Sequence, residues 1–217
     1  MKNSSGWHYL IELAVVIAGI LIAFMLNNWH DNLRQARTER EYLLSLRSDL
    51  QQDKAQLDTL IQFSRKKIVH LKRLTHFLTP GQVNQDSALI LFSSALLQLY
   101  KFDAHRATFE ALKNSGDFNL ISSYALQKQI VDYYQTLNAK RHFDGILDNY
   151  FNTYIIPFAF KQIDFRAGRF LDKKALLRPY SINLIFGYQS LLTQSVTFYV
   201  KLREKCENLL NRLNQTS

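Results

Sequence analysis

Few residues in this sequence have types and spacings suited to chemistry. Glu12 is an acid inside an otherwise apolar run. A carboxylate there points to an ion or proton path, or to a headgroup role, since Tyr9 lies only three residues away. Asp49 and Asp53 are four apart and share a helix face, with Asp53 on the apolar seam. A buried acid is costly unless paired. Asp53 is therefore expected to meet a base of the last helix, such as Lys201, Arg203 or Lys205, with cation binding as the alternative. His70 and His76 are six apart and fall on different faces. No His-Glu-x-x-His and no cysteine pair accompanies them, so no metal site is expected. A Gly-rich phosphate loop, a nucleophile elbow and a Cys/His pair are all missing. One acid pair does not supply the two roles hydrolysis needs. No catalytic residue and no cofactor is expected, and the chain reads as a non-enzyme. The rival readings are a transport component using Glu12 and a metal-dependent enzyme using Asp49 and Asp53.

What must position these residues is dominated by one stretch, residues 7–29, reading WHYLIELAVVIAGILIAFMLNNW. Its uninterrupted core, residues 10–26, is roughly 17 residues, at the short end of what spans a hydrocarbon layer. With its flanks it reaches roughly 33 Å as a helix. Trp7, Tyr9 and Trp29 sit where amphipathic rings favour the two interfaces, and Asn27 and Asn28 close the run. Val15, Gly19 and Phe24 lie on different faces, so no polar side is left for water. No small-x-small cleavage site follows, so the reading is an uncleaved membrane anchor. Ala14/Ala18 and Gly19/Ala23 form small-xxx-small pairs, a weak signal for helix association.

The 217 residues divide into this anchor (7–29) and one extramembrane domain, 30–217. With 47% hydrophobic residues and only seven Gly and three Pro, the domain reads as an all-α antiparallel helical bundle. The net charge of +9 favours anionic lipid or acidic partners; no motif supports nucleic acid. The run Arg65-Lys66-Lys67 reads as a solvated face. Arg34, Arg37 and Arg40, next to the anchor, are candidates for headgroup contact. Counted alone, these arginines and Arg47 would put the bundle in the cytoplasm.

Past residue 29 the helical pattern continues. Leu43, Leu50, Leu57, Leu71 and Leu78 recur by sevens, as do Leu46, Leu60 and Leu74, making a coiled-coil-like seam. Ser64, Asp53 and Lys67 occupy its gaps. Thr79-Pro80-Gly81 is the stop. Further helices are expected over 87–101 (capped by Asp86 or Ser87) and 105–114 (closed by Gly116), followed by a long one capped by Ser122 or Ser123. The last of these buries a set that includes Tyr133, Tyr134, Leu137, Ile146 and Leu147, and Pro157 is expected to kink or end it. Residues 161–180 are irregular, with a helical turn at 173–177. A final helix from 181 or 183 to 213 carries Tyr188, Ser195, Leu202 and Leu209 by sevens and is the expected antiparallel partner of the first.

The segments YLIELAVVIAGILIAFMLNNWHDN, EREYLLSLRSDLQQD and TFEALKNSGDFNLISSYALQKQIVDYY resemble a bacterial, Bacteroidetes-type family of single-pass membrane proteins of unknown function (DUF6090-like). Glu12, Gly19 to Ala23, Asn27, Asn28 and Trp29 match the family pattern; Ile11 and His30 depart from it. The resemblance implies an inner-membrane anchor with the bundle on the periplasmic side, against the arginine count. It implies no reaction and no ligand. The expected partners are membrane lipid and either a protein partner or a second copy, with an interaction, scaffold or sensory role.

Overall fold

The computed structural model describes residues 4–77, 85–98 and 100–216, and among these the fold is essentially all-α. The first helix, α1 (Ser4–Phe77), runs for 74 residues without interruption. It holds together because its whole length lacks Pro and carries only two glycines, Gly6 and Gly19, so every turn closes its own hydrogen bonds. α2 (Gln85–Leu96) follows, starting slightly ahead of the expected Asp86 or Ser87 cap. The expected stop at residues 79–81 and Leu78 lie outside the described residues.

The chain then returns along α1 through α3 (Ala107–Ser115) and a 3-10 turn, Asp117–Leu120. Gly116 joins them with φ +80°, the left-handed conformation that a glycine adopts without Cβ strain. α4 (Tyr124–Tyr150) opens on Ser123, whose side chain accepts a hydrogen bond from the Leu126 amide. Pro157 does not end the helical run. A π-turn, Phe151–Ile155, absorbs the missing donor, and α5 (Ile156–Gln162) continues beyond it. A two-residue hairpin, β1 (Ile163–Asp164) with β2 (Arg169–Phe170), is a small departure from the all-helical expectation. A 3-10 turn, Lys173–Leu177, leads to α6 (Pro179–Thr216).

Directions follow from which residues touch. Lys54 meets Glu207, Arg203 meets Asp58, and Lys67 meets Tyr188, so α6 runs antiparallel to α1. Lys205 meets Asp132 and Tyr150 meets Leu184, so α4 is antiparallel to α6 and parallel to α1. The sevenfold seams are the buried lines of contact. Leu46, Leu50, Leu57, Leu60, Leu71 and Leu74 on α1 are buried, as are Leu184, Tyr188, Leu202, Leu209 and Leu213 on α6. Each such leucine contributes roughly 1.5–3 kcal/mol by leaving water. On α4, Ile146 departs from its expected inward position and stands exposed.

The interior divides into two apolar clusters. One gathers Leu46, Leu57, Leu126, Ile130 and Leu209. The other gathers Leu71, Phe92, Phe158, Phe170 and Leu184 at the end of the bundle farther from residue 29. Between them each long helix buries a polar side chain: Ser64 and Lys67 on α1, Lys140 on α4 and Ser195 on α6. Lys140 pairs with Asp144 one turn on and lies 4.2 Å from the Tyr199 ring centre. Lys67 donates to the Gln98 carbonyl and to the Tyr188 hydroxyl at 3.0 Å. It was grouped by sequence with Arg65 and Lys66 on a solvated face; those two are exposed, and Lys67 is not.

Candidate functional site

The site grows from Asp53, whose side chain is 0% exposed. Its place on the α1 seam aims it at the chain entering α3. One carboxylate oxygen accepts from the His105 amide at 2.9 Å and from His105 Nδ1 at 2.8 Å. The other accepts from the Tyr133 hydroxyl at 2.7 Å. Facing only an acceptor, Nδ1 carries the imidazole proton. Tyr134 OH closes the group by donating to the His105 carbonyl at 3.2 Å. Burial, together with the nearby carboxylate, pushes the Tyr133 and Tyr134 phenols well above the ordinary range, so both remain donors.

The expected ion pair with the last helix does not form. Arg203 is taken by Asp58 and Glu207, and Lys205 by Asp132. Lys201 is exposed. The physical reason lies in α3. Its first residue follows Arg106, which provides no side-chain cap. The free amides there need acceptors, and Asp49, half-buried, takes the Thr108 amide at 3.4 Å, while Asp53 takes the His105 amide just ahead of the helix. The two acids thus share a face as expected, yet they serve a neighbouring helix end. Among the described residues no group of three or more His, Cys, Asp or Glu side chains is arranged to hold a metal ion.

His105 is only partly buried, 36% of its side chain remaining exposed. With Nδ1 turned inward to Asp53, the rest of the ring faces outward into a cleft of about 740 Å³. Leu60, Phe63 and Tyr100 form its apolar wall, Phe63 and Tyr100 meeting edge-on with ring centres 4.1 Å apart. Gln52, Gln56, Thr59 and Lys101 form its rim. Neither His105 nor Tyr133 was singled out from sequence as a partner of Asp53. Tyr133 was legible as a core aromatic, but His105, expected to open the helix over 105–114, instead ends the connector two residues before α3, where helical periodicity does not place it.

The other candidate residues stand apart from this site. Trp7, Tyr9, Glu12, Gly19, Asn27, Asn28 and Trp29 all lie on the exposed first part of α1. Asn27 donates to Asp31 at 3.2 Å, and a Cβ added at Gly19 would meet nothing. Arg34, Arg37 and Arg40 are exposed beyond them, while Glu39 accepts from the Ser122 amide at 2.7 Å where the α3–α4 connector reaches α1. By length and composition α1 can cross a membrane; its most apolar 18-residue window has mean hydropathy 2.6 and none of it is buried.

A family model matches residues 12–149, well over half of the chain, and its description is "Family of unknown function (DUF6090)". The chain belongs to that family. The matched region takes in the anchor-like stretch from Glu12 onward, Asp49, Asp53, His105 and Tyr133, and stops short of α6. No curated protein and no solved structure matches the chain.

Proposed function

We propose that this member of the family is a single-pass membrane protein, non-enzymatic, whose helical bundle stands outside the bilayer as an interaction or sensory module. One observation carries the reading. On α1, Leu10, Val15, Ile20, Phe24 and Leu26 are exposed on all sides, whereas the seam of the same helix is buried from Leu46 onward. The exposed apolar length is roughly 25 Å, which corresponds to the bilayer core. Left in water, such a surface would far exceed the few hundred Å² of apolar patch that soluble monomers tolerate. Lipid is the solvent that suits it. Trp7, Tyr9 and Trp29 then lie at the interfaces, and Arg34, Arg37 and Arg40 lie at headgroup level.

The periplasmic side is the proposed location of the bundle, in line with the family resemblance. Any output would pass to a protein partner in the membrane or to a second copy. Since α1 enters the core directly and carries Asp53, a change in packing around the site would be felt along the anchor, provided the bundle has two states. Alkaline carbonate extraction and flotation test the anchor. The intact chain should remain with membranes, and Ile17→Arg, which adds roughly 3 kcal/mol to insertion, should release a sizeable fraction. A wild-type chain recovered entirely in the soluble fraction would overturn the proposal.

A further inference from the structure

We propose that the cleft between α1 and the connector leading into α3 is a binding site for a small aromatic anion, with His105 as its polar anchor. The inference does not depend on the membrane reading. Three features converge on it. The first is size: about 740 Å³ lies within the range of small-molecule sites, and the lining is dominated by Leu60, Phe63, Tyr100 and Ala55. The crossed rings of Phe63 and Tyr100 offer a flat molecule both a face and an edge.

The second is the state of His105. Asp53 is fully buried and engages Nδ1 at 2.8 Å, which fixes the ring and leaves Nε2 on the cleft side. A buried carboxylate that accepts three hydrogen bonds is a rigid support, and rigid support of one outward polar atom is how binding sites gain orientation without entropy loss. The helix end alone does not require this arrangement: the His105 amide would suffice for α3, and the imidazole bond is additional.

The third is charge. Lys101 and His105 line the cleft, and no Asp or Glu does so directly. Lys101 pairs with Asp148 at 2.6 Å, and its side chain is 53% exposed. The chain as a whole carries +9. An anion is attracted to this surface and accepts a charge-assisted bond from the Lys101 ammonium, with a second from His105 whenever Nε2 as well as Nδ1 carries a proton.

The test uses the full chain in lipid nanodiscs, with empty nanodiscs as the blank, titrated calorimetrically with 2-naphthoate and with its neutral counterpart 2-naphthalenemethanol. Saturable binding of naphthoate at one per chain is expected, with the alcohol roughly tenfold weaker or more. Thr59→Trp, placed on the exposed rim to fill the cleft, should abolish binding with little change in thermal unfolding. Should that variant misfold, Ala55→Phe serves the same purpose from the neighbouring turn. His105→Gln should reduce the preference for the anion to threefold or less. Naphthoate heats equal to those of empty discs would overturn the proposal, as would equal affinity for acid and alcohol. Unchanged binding in a folded cleft-filling variant would place the ligand elsewhere and overturn it too.

Discussion

The deepest consequence of the structure concerns Asp53→Asn. The substitution keeps shape and removes one acceptor. The remaining oxygen can serve the His105 amide and Nδ1, now at 2.9 and 2.8 Å from a neutral group. The new NH₂ then faces the Tyr133 hydroxyl, which stood 2.7 Å from a carboxylate and now has no acceptor for its proton. Hydrogen bonds to charged groups contribute about 1.5–3 kcal/mol each. Losing one outright and weakening two more should cost about 2–4 kcal/mol, with no water able to reach the fully buried side chain. For a domain of this size that lowers Tm by about 5–15 °C. Tyr133→Phe, which strands one carboxylate oxygen, should cost about 1–3 kcal/mol. The double variant should cost less than the sum by about 1 kcal/mol or more, because the amide then faces a ring instead of a frustrated hydroxyl. The assay is thermal and denaturant unfolding of the full chain in detergent, followed by circular dichroism. If Asp53→Asn lies within about 0.5 kcal/mol of wild type, or the two changes add, the buried cluster is not the coupled unit described here.

Three further outcomes can be checked on the same material. Burial lowers the Lys67 ammonium from 10.5 to about 8, so between pH 8 and 10.5 the unfolded chain binds more protons than the folded one. Its contribution to stability should therefore rise across that window by about 3 kcal/mol, and the rise should appear in the wild-type-minus-Lys67→Met difference. A flat difference would show that the lysine is not desolvated. Gly187→Ala brings a Cβ onto the Tyr150 hydroxyl and within 3.1 Å of its ring carbon, and threatens the 2.9 Å bond from that hydroxyl to the Leu184 carbonyl. It should cost about 1–3 kcal/mol, partly recovered by adding Tyr150→Phe; full tolerance would mean that α4 and α6 slide apart easily. Burial pushes the Cys206 thiol up to about 12, and Sγ donates to the Leu50 carbonyl at 3.2 Å. Mass-monitored alkylation at neutral pH should be at least about a hundredfold slower in the native chain than in urea, and equal rates would place the α1–α6 contact in doubt.

Much of this protein was legible without coordinates wherever a residue's role depends on its own helix. The sevens on α1 and α6 marked the buried seams, Ser123 and Gly116 marked an N-cap and a left-handed C-cap, and the turn at 173–177 was in place. Such features are set by the 3.6-residue period and by local backbone chemistry, which a linear sequence carries directly. The polar seam residues were visible too, but only as oddities. Which group satisfies Asp53, that Lys67 turns inward while Arg65 and Lys66 stay in water, and that Lys140 joins it between two apolar clusters were decided by helices meeting across 31 to 121 residues of chain. Period and propensity describe one helix at a time; the identity of a partner depends on which surfaces the loops bring together. The ring of His105 meets Asp53 where the connector into α3 reaches two carboxylates of α1, and only the folded chain could establish that coincidence.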